Sequence, residues 1–229
     1  VKMADFLNRA ESYHGIFPHF MNGTTGKTVP FGKLDDGADI VETSYLLMGF
    51  LCAREYFKGD TPLEKYFRSR VTQLWNVANW NWHANGGNTL LYWHWSPWNG
   101  FDMNFPIRGW NECLITFIMS ASSSTHPIAP EVYFNSFVNS TSYINDKSYY
   151  NIKLPLGFEY GGPLFFAHYT FMGVDPHNLR DWHTNYWEQN TNHTLINRAY
   201  CIDNQKQFKG YGENCWGLTA SDSHKGYVA

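Results

Sequence analysis

The sequence predicts an all-α fold, a toroid of helical hairpins, and three observations predict it. Stretches apolar on nearly every side (38–57, 110–121, 163–172) alternate with stretches carrying a solvated face (2–13, 62–79, 130–138, 178–200), as inner and outer helices of a two-layered ring do. Helix start signals stand at the head of several of these stretches. The connections are rich in Gly and aromatic residues, and no linker composition divides the 229 residues, so one domain, 1–229, is expected.

The elements follow in order. Residues 2–13 read as a helix and 14–32 as an irregular hairpin, because Gly and Pro interrupt the aromatic residues there. The 38–57 helix has Asp39 and Glu42 in its first turn, where carboxylates complement the helix dipole. Thr61-Pro62-Leu63-Glu64 reads as N-cap, Pro at the first helical position and capping-box Glu, opening the helix to 79. Residues 80–109 carry Gly86-Gly87-Asn88 between two aromatic runs and read as a hairpin with a long loop. Short helices follow at 110–121 and 130–138, with a polar hairpin around Asn145-Asp146 over 143–152. The chain continues with an apolar helix at 163–172, an amphipathic one at 178–200 and the start of another at 215–220. A closed ring of six hairpins requires twelve helices and the sequence supplies seven or eight, so the chain is expected to be part of a longer protein.

Composition narrows the function. Lys and Arg number 17 against 20 Asp and Glu, and no basic run could neutralise a phosphate backbone, which disfavours nucleic acid. The longest apolar stretch, 45–53, is far short of the roughly 20 residues that span a bilayer. Cys52, Cys113, Cys201 and Cys215 include no CxxC pair. Packed thiols are expected, with Cys201–Cys215 as the one conceivable bridge. Neither HExxH, an acidic Ca²⁺ loop, GxSxG nor a nucleotide-binding glycine motif occurs, so no metal and no cofactor is expected.

Chemistry gathers at predicted helix starts. Asp35, Asp36, Asp39 and Glu42 form one acidic cluster, with Asp39 and Glu42 sharing a helix face at i, i+3. Spacing alone favours a dipole-complementing role for them. Glu112, set between Trp110 and Leu114-Ile115, is poorly explained by solvation, and its apolar setting is expected to raise its pKa. An acid of that kind opposite an ionised carboxylate suits glycosidic-bond hydrolysis. Glu213 and Asn214, ahead of the 215–220 segment, are secondary candidates for the same mouth. Seven tryptophans crowd residues 75–110 among His, Asn and Arg, offering flat faces for sugar rings and polar groups for hydroxyls. Trp75 and Trp80 read as helix-gap fillers, and YWHWSPWNGFDMN as the better substrate contact.

The stretches HGIFPHFMNG, DDGADIVETSYLLMGFL, LYWHWSPWNG, PIRGWNECLI, GGPLFFAHYTFMG, NHTLINRAYCIDN and KGYGENCWGLTASD resemble, in order and across nearly the whole chain, the bacterial glycoamylase-like domain that includes glycoside hydrolase family 144. The resemblance implies an (α/α)6 toroid and an exported enzyme, periplasmic or extracellular. It also implies endo-hydrolysis of β-1,2-glucan with inversion of configuration. Carried over by motif, Glu112 is expected as general acid and Asp39 or Glu42 as base or water-positioning residue. His94, Trp95, Arg108, Trp110 and Asp35 are expected to contact sugar, with Glu213 and Asn214 beside them. An inverting pair stands about 6.5–9.5 Å apart, so Asp39 and Glu42, one turn apart, do not make it alone. A monomer acting on oligo- or polysaccharide is expected. An exo-acting glucoamylase-like α-glucosidase and a non-catalytic glycan-binding protein are the alternatives.

Overall fold

The computed structural model describes residues 1–87 and 89–228. Asn88, the third residue of the Gly86-Gly87-Asn88 reading, lies outside the described residues. Helix is the main regular structure, accompanied by four two-stranded antiparallel sheets among the described residues. The chain divides into two compact units, residues 1–107 with 115–136 and residues 108–114 with 137–229. No helix among the described residues is long and apolar enough to cross a membrane.

In the first unit, α1 (Lys2–Leu7) stops well before residue 13. Beyond it the backbone bonds elsewhere: Glu11 N–H donates to Gly26 O at 2.8 Å, while the Glu11 carboxylate accepts from Thr28 N at 2.7 Å. Those bonds tie the chain to the expected hairpin, β1 (Phe20–Met21) against β2 (Thr28–Val29). A short strand, β3 (Ala38–Asp39), leads directly into α2 (Ile40–Tyr56). Its buried residues, including Ile40, Val41, Leu47 and Met48, fit the apolar reading of this helix. The α3 helix (Pro62–Val77) has the full capping box at Thr61 and Glu64. It packs on α2 in part through Phe67 and Phe50, whose ring centroids lie 6.4 Å apart. Trp75 and Trp80 meet at 5.8 Å in the core, as their gap-filling reading requires.

The 80–109 segment departs from the expected hairpin. It begins with a 3₁₀ turn (Trp80–Ala84), and its strand β4 (His94–Trp95) pairs with β3, 55 or more residues earlier in sequence. The segment also folds on itself, though not as a regular strand pair among the described residues: isolated bridges join Tyr92 to Pro106 and Ser96 to Gly100, Trp93 N donates to Phe105 O and Ile107 N to Leu91 O, and Tyr92 N donates to His83 O across the Gly86-Gly87 turn. Two helical pieces follow, with their residues 115–122 and 130–136 in this unit: α4 (Leu114–Ser122) and α5 (Pro130–Val132), which continues as a π-turn over Tyr133–Val138.

The second unit contains the polar hairpin β5 (Ile144–Tyr149) and β6 (Ile152–Leu156). Its turn lies at Tyr150-Asn151, both in the left-handed region (φ 54° and 61°), whereas Asp146 sits at a register shift between Ile144 and Lys147. α6 (Phe165–His168) runs on as a 3₁₀ turn to Met172, filling the predicted 163–172 span. The long helix α7 (Tyr186–Asp203) starts eight residues later than 178. Asn178 is left-handed (φ 63°), the Asp181 carboxylate accepts from His183 N and Thr184 N, and Asn185 caps the helix through Trp187 N and Glu188 N. The buried Gln189 of α7 completes β6, accepting from Leu156 N at 2.9 Å. Residues 215–220 form no helix: Gly217 is at φ 101°, and Asn197 Oδ1 accepts from Gly217 N and Leu218 N, tying that segment to α7. The chain then forms β7 (Ser221–Ser223) and β8 (Gly226–Val228).

Candidate active site

The first unit brings four of the expected site residues together. Register places Asp39 opposite His94 and Ala38 opposite Trp95. Gly37 permits this approach, since a Cβ there would stand 2.3 Å from Trp95 O and 2.7 Å from Pro97 Cδ. Asp39 ends β3 in extended backbone (φ −120°, ψ 106°) and is the N-cap of α2. Its Oδ1 accepts from Val41 N and Glu42 N, both at 3.0 Å, so the dipole-complementing role suggested by spacing is present. Its Oδ2 does something more. It accepts from His19 Nδ1 at 2.8 Å and lies 3.7 Å from His94 Nδ1, all with the Asp39 side chain fully buried.

His94 is itself buried, and its Nδ1 lies 3.3 Å from Asp35 Oδ1 without an aligned hydrogen bond. Asp35 is 6% exposed. One of these interior carboxylates, Asp39, is satisfied by the His19 imidazole and the α2 N-terminus, as burial of a carboxylate requires. His19, Asp35 and Asp39 bring their ligand atoms within 4.8 Å of one another, and His19 already bonds Asp39. Hydrogen bonding to Asp39 holds the His19 imidazolium above its ordinary range, against the opposing effect of burial; the charges of Asp39, Glu42 and Asp35 act in the same direction. Glu42 is different in kind. Its side chain reaches the surface, and desolvation by its surroundings, followed by the Asp39 charge, raises its carboxyl above the usual range.

Aromatic rings border this cluster. Phe31 stacks on His19 at 4.5 Å, Phe20 meets the imidazole edge-on at 4.7 Å, and both phenyl rings are at least half exposed. Trp95 is half-buried and packs edge-on to His14 and Trp82, which stack on each other at 3.7 Å. Trp98 is 84% exposed. Sequence reasoning missed His19, Phe20 and Phe31. His19 and Phe20 stand in HGIFPHF and Phe31 in TVPFG, and neither stretch carries a sign in its spacing that a hairpin returns His19 to the α2 cap.

The second unit holds the remaining expected residues. Trp110 is 1% exposed, stacks on Tyr186 at 5.6 Å and packs against Gly157, so it fills a core and offers no face to sugar. Arg108 is exposed. Glu112 is half-buried just ahead of α4, and its main-chain carbonyl accepts from Thr170 Oγ1 at 3.1 Å. Glu213 and Asn214 lie on an exposed loop closed by the Gly212–Cys215 bridge, not at a helix start. Cys201 is a buried free thiol and Cys215 an exposed one. A cleft of about 550 Å³ lined by His168, Trp187, Asn190 and Thr194 includes none of the expected residues.

The Glycoamylase family model, described as "Putative glucoamylase", matches residues 104–229, more than half of the sequence. The chain belongs to the Glycoamylase family. This Glycoamylase chain is 41% identical, along its whole length, to the exo-β-1,2-glucooligosaccharide sophorohydrolase (non-reducing end) of Parabacteroides distasonis, of which it spans 34%. It is 47% identical to the endo-β-1,2-glucanase of Chitinophaga pinensis, solved as a sophorotriose and glucose complex; the TM-score is 0.95, with all of this chain and 55% of that one covered. A Bacteroides uniformis protein of the same description as the family is 53% identical with a TM-score of 0.96, again over all of this chain and 56% of the other. The chain therefore spans about a third of the curated relative and just over half of these two solved chains.

Proposed function

We propose that this Glycoamylase chain belongs to a glycoside hydrolase acting on β-1,2-glucan, with Glu42 as the water-activating carboxyl. One observation carries the assignment. Asp39 is fully buried with both carboxylate oxygens engaged, whereas Glu42, one turn on, reaches solvent with its carboxyl raised toward the range where a general base works. Asp39 then holds the end of α2 and supplies the negative charge that tunes Glu42. Glu112 keeps the general-acid role, and the inverting course with it, on the motif it shares with the family. The relatives' β-1,2-glucan names support the linkage and give no support to an α-glucosidase.

Endo action is the proposed mode, supported by the 47% identical endo-glucanase against the 41% identical exo-enzyme. The toroid remains the proposed architecture, supported by the pairing of buried α2 with the partly solvated α3. Product analysis tests the function: the full-length protein is given cyclic and linear β-1,2-glucan beside maltooligosaccharides. Mixed oligosaccharides from both β-glucans and none from maltooligosaccharides are expected. Sophorose alone, from linear chains only, would replace endo with exo action, and glucose from maltooligosaccharides alone would overturn the reading.

A further inference from the structure

We infer that His19 is a positioning residue of this site, clamped by Phe20 and Phe31 so that Nδ1 fixes Asp39 while Nε2 is turned toward a sugar hydroxyl; the inference rests on the proposed hydrolysis of β-1,2-glucan. The imidazole has little freedom. Phe31 lies nearly parallel to it (21°) at 4.5 Å and Phe20 nearly perpendicular (80°) at 4.7 Å, which sets the ring plane. Within that plane, the 2.8 Å contact to Asp39 Oδ2 sets which nitrogen points inward. A carboxylate only accepts, so Nδ1 carries the hydrogen. Nε2, on the far side of the ring, belongs to a side chain 24% exposed and is not among the buried polar atoms that lack a partner.

Proton bookkeeping then defines what Nε2 offers. In the neutral ring it is an acceptor, and in the imidazolium it is a donor, with Nδ1–H bonded to Asp39 in both states. The charged groups acting on the ring are Asp39, Glu42 and Asp35, all acidic, and they favour the imidazolium. A neutral, hydroxyl-rich pyranose fits this setting: Phe20 and Phe31 offer exposed apolar faces for its C–H surface, and His19 offers a polar edge between those faces and the carboxylates. Sequence-distant parts converge here, since His19 leads into β1, Phe31 follows β2, and Asp39 begins α2.

The test separates the inward bond from mere bulk. In the full-length protein, His19→Asn retains a side-chain donor where Nδ1 stood, His19→Gln places its amide nearer Nε2, and His19→Ala removes both. On linear β-1,2-glucan, His19→Ala is expected to lower kcat roughly 10- to 100-fold and to raise KM, and His19→Asn to recover most of the kcat loss while KM stays raised, because the hydroxyl contact of Nε2 is still missing. His19→Gln should stay impaired, and this Asn-against-Gln comparison decides the matter even where the Ala variant does not fold. Equal kcat for Asn and Gln, or an undiminished kcat for Ala, overturns the inference while leaving the proposed function standing. A parent enzyme that leaves every β-1,2-glucan intact refutes the proposed function, and the inference falls with it.

Discussion

Replacing Gly37 with Ala tests whether the β3–β4 contact positions the site. The added Cβ would stand 2.3 Å from Trp95 O, 2.7 Å from Pro97 Cδ and 3.1 Å from Ser96 Cα, and two of those three atoms are backbone. Restoring ordinary contact to the carbonyl oxygen needs a displacement of about 1 Å, because carbon–oxygen contacts settle beyond roughly 3.2 Å. Overpacking of that size costs about 2 kcal/mol, which for a chain of this length lowers Tm by roughly 4–8 °C. The functional cost is larger. β4 carries His94 and pairs with Asp39, so a shift of about 1 Å moves one member of the charge cluster against the other and should lower kcat about 100-fold. Thermal unfolding and release of reducing ends from β-1,2-glucan are measured on the same preparation. A Gly37→Ala enzyme with parental Tm and parental kcat would refute the argument, since the backbone would then have absorbed the methyl without moving the site.

Glu42→Gln should abolish most hydrolysis, by about 100-fold or more, without destabilising the protein. The sign follows from its raised carboxyl: the folded chain holds this proton more tightly than the unfolded one, so that contribution is intact below the ordinary value of 4.5 and lost as pH climbs through the raised one. Glutamine avoids the loss, and urea unfolding at pH 7 should find the variant at least as stable as the parent; a clear drop in midpoint would contradict this. His83 and His193, buried and held near pKa 4 chiefly by desolvation, have the opposite dependence. The unfolded chain takes up these protons first, so stability falls as pH drops from about 6.5 toward 4, by about 3 kcal/mol per histidine at the acid end. Urea midpoints at pH 7 and pH 5 check it, and equal midpoints would contradict it. Trp110→Ala should cost about 3–5 kcal/mol through loss of packing on Tyr186, visible as a lower melting temperature, whereas a sugar-contact residue would lose affinity with stability unchanged.

The legible parts of the sequence were those governed by local rules. The capping box at Thr61 and Glu64 and the apolar run of α2 both appear in the structure. So do the gap-filling roles of Trp75 and Trp80. The illegible parts depend on partners remote in sequence. β4 reads as half of a local hairpin, yet it pairs with β3, because Gly37 allows two backbones to touch and nothing near residue 94 signals that. The segment 215–220 has helical residue types, but Gly217 turns left-handed there and Asn197 bonds the adjacent amides. Trp110 looked like a sugar platform because tryptophan faces serve both purposes, and only the ring packed upon it tells them apart. Within the site, spacing grouped Asp35, Asp39 and Glu42, with Asp36, in one acidic cluster, and His94 was expected separately as a sugar contact. Spacing could not reveal which carboxylate would be fully engaged and which would remain open, because that difference depends on His19, brought in by the β1–β2 hairpin.

The most direct measurement is a crystal structure of the full-length Glu42→Gln protein with a β-1,2-glucooligosaccharide. An intact oligosaccharide is expected, with its glucosyl rings against Phe20 and Phe31 and a water within hydrogen-bond distance of residue 42 beside an anomeric carbon. An oligosaccharide bound with no ring near that hairpin and no water between residue 42 and the sugar would contradict it.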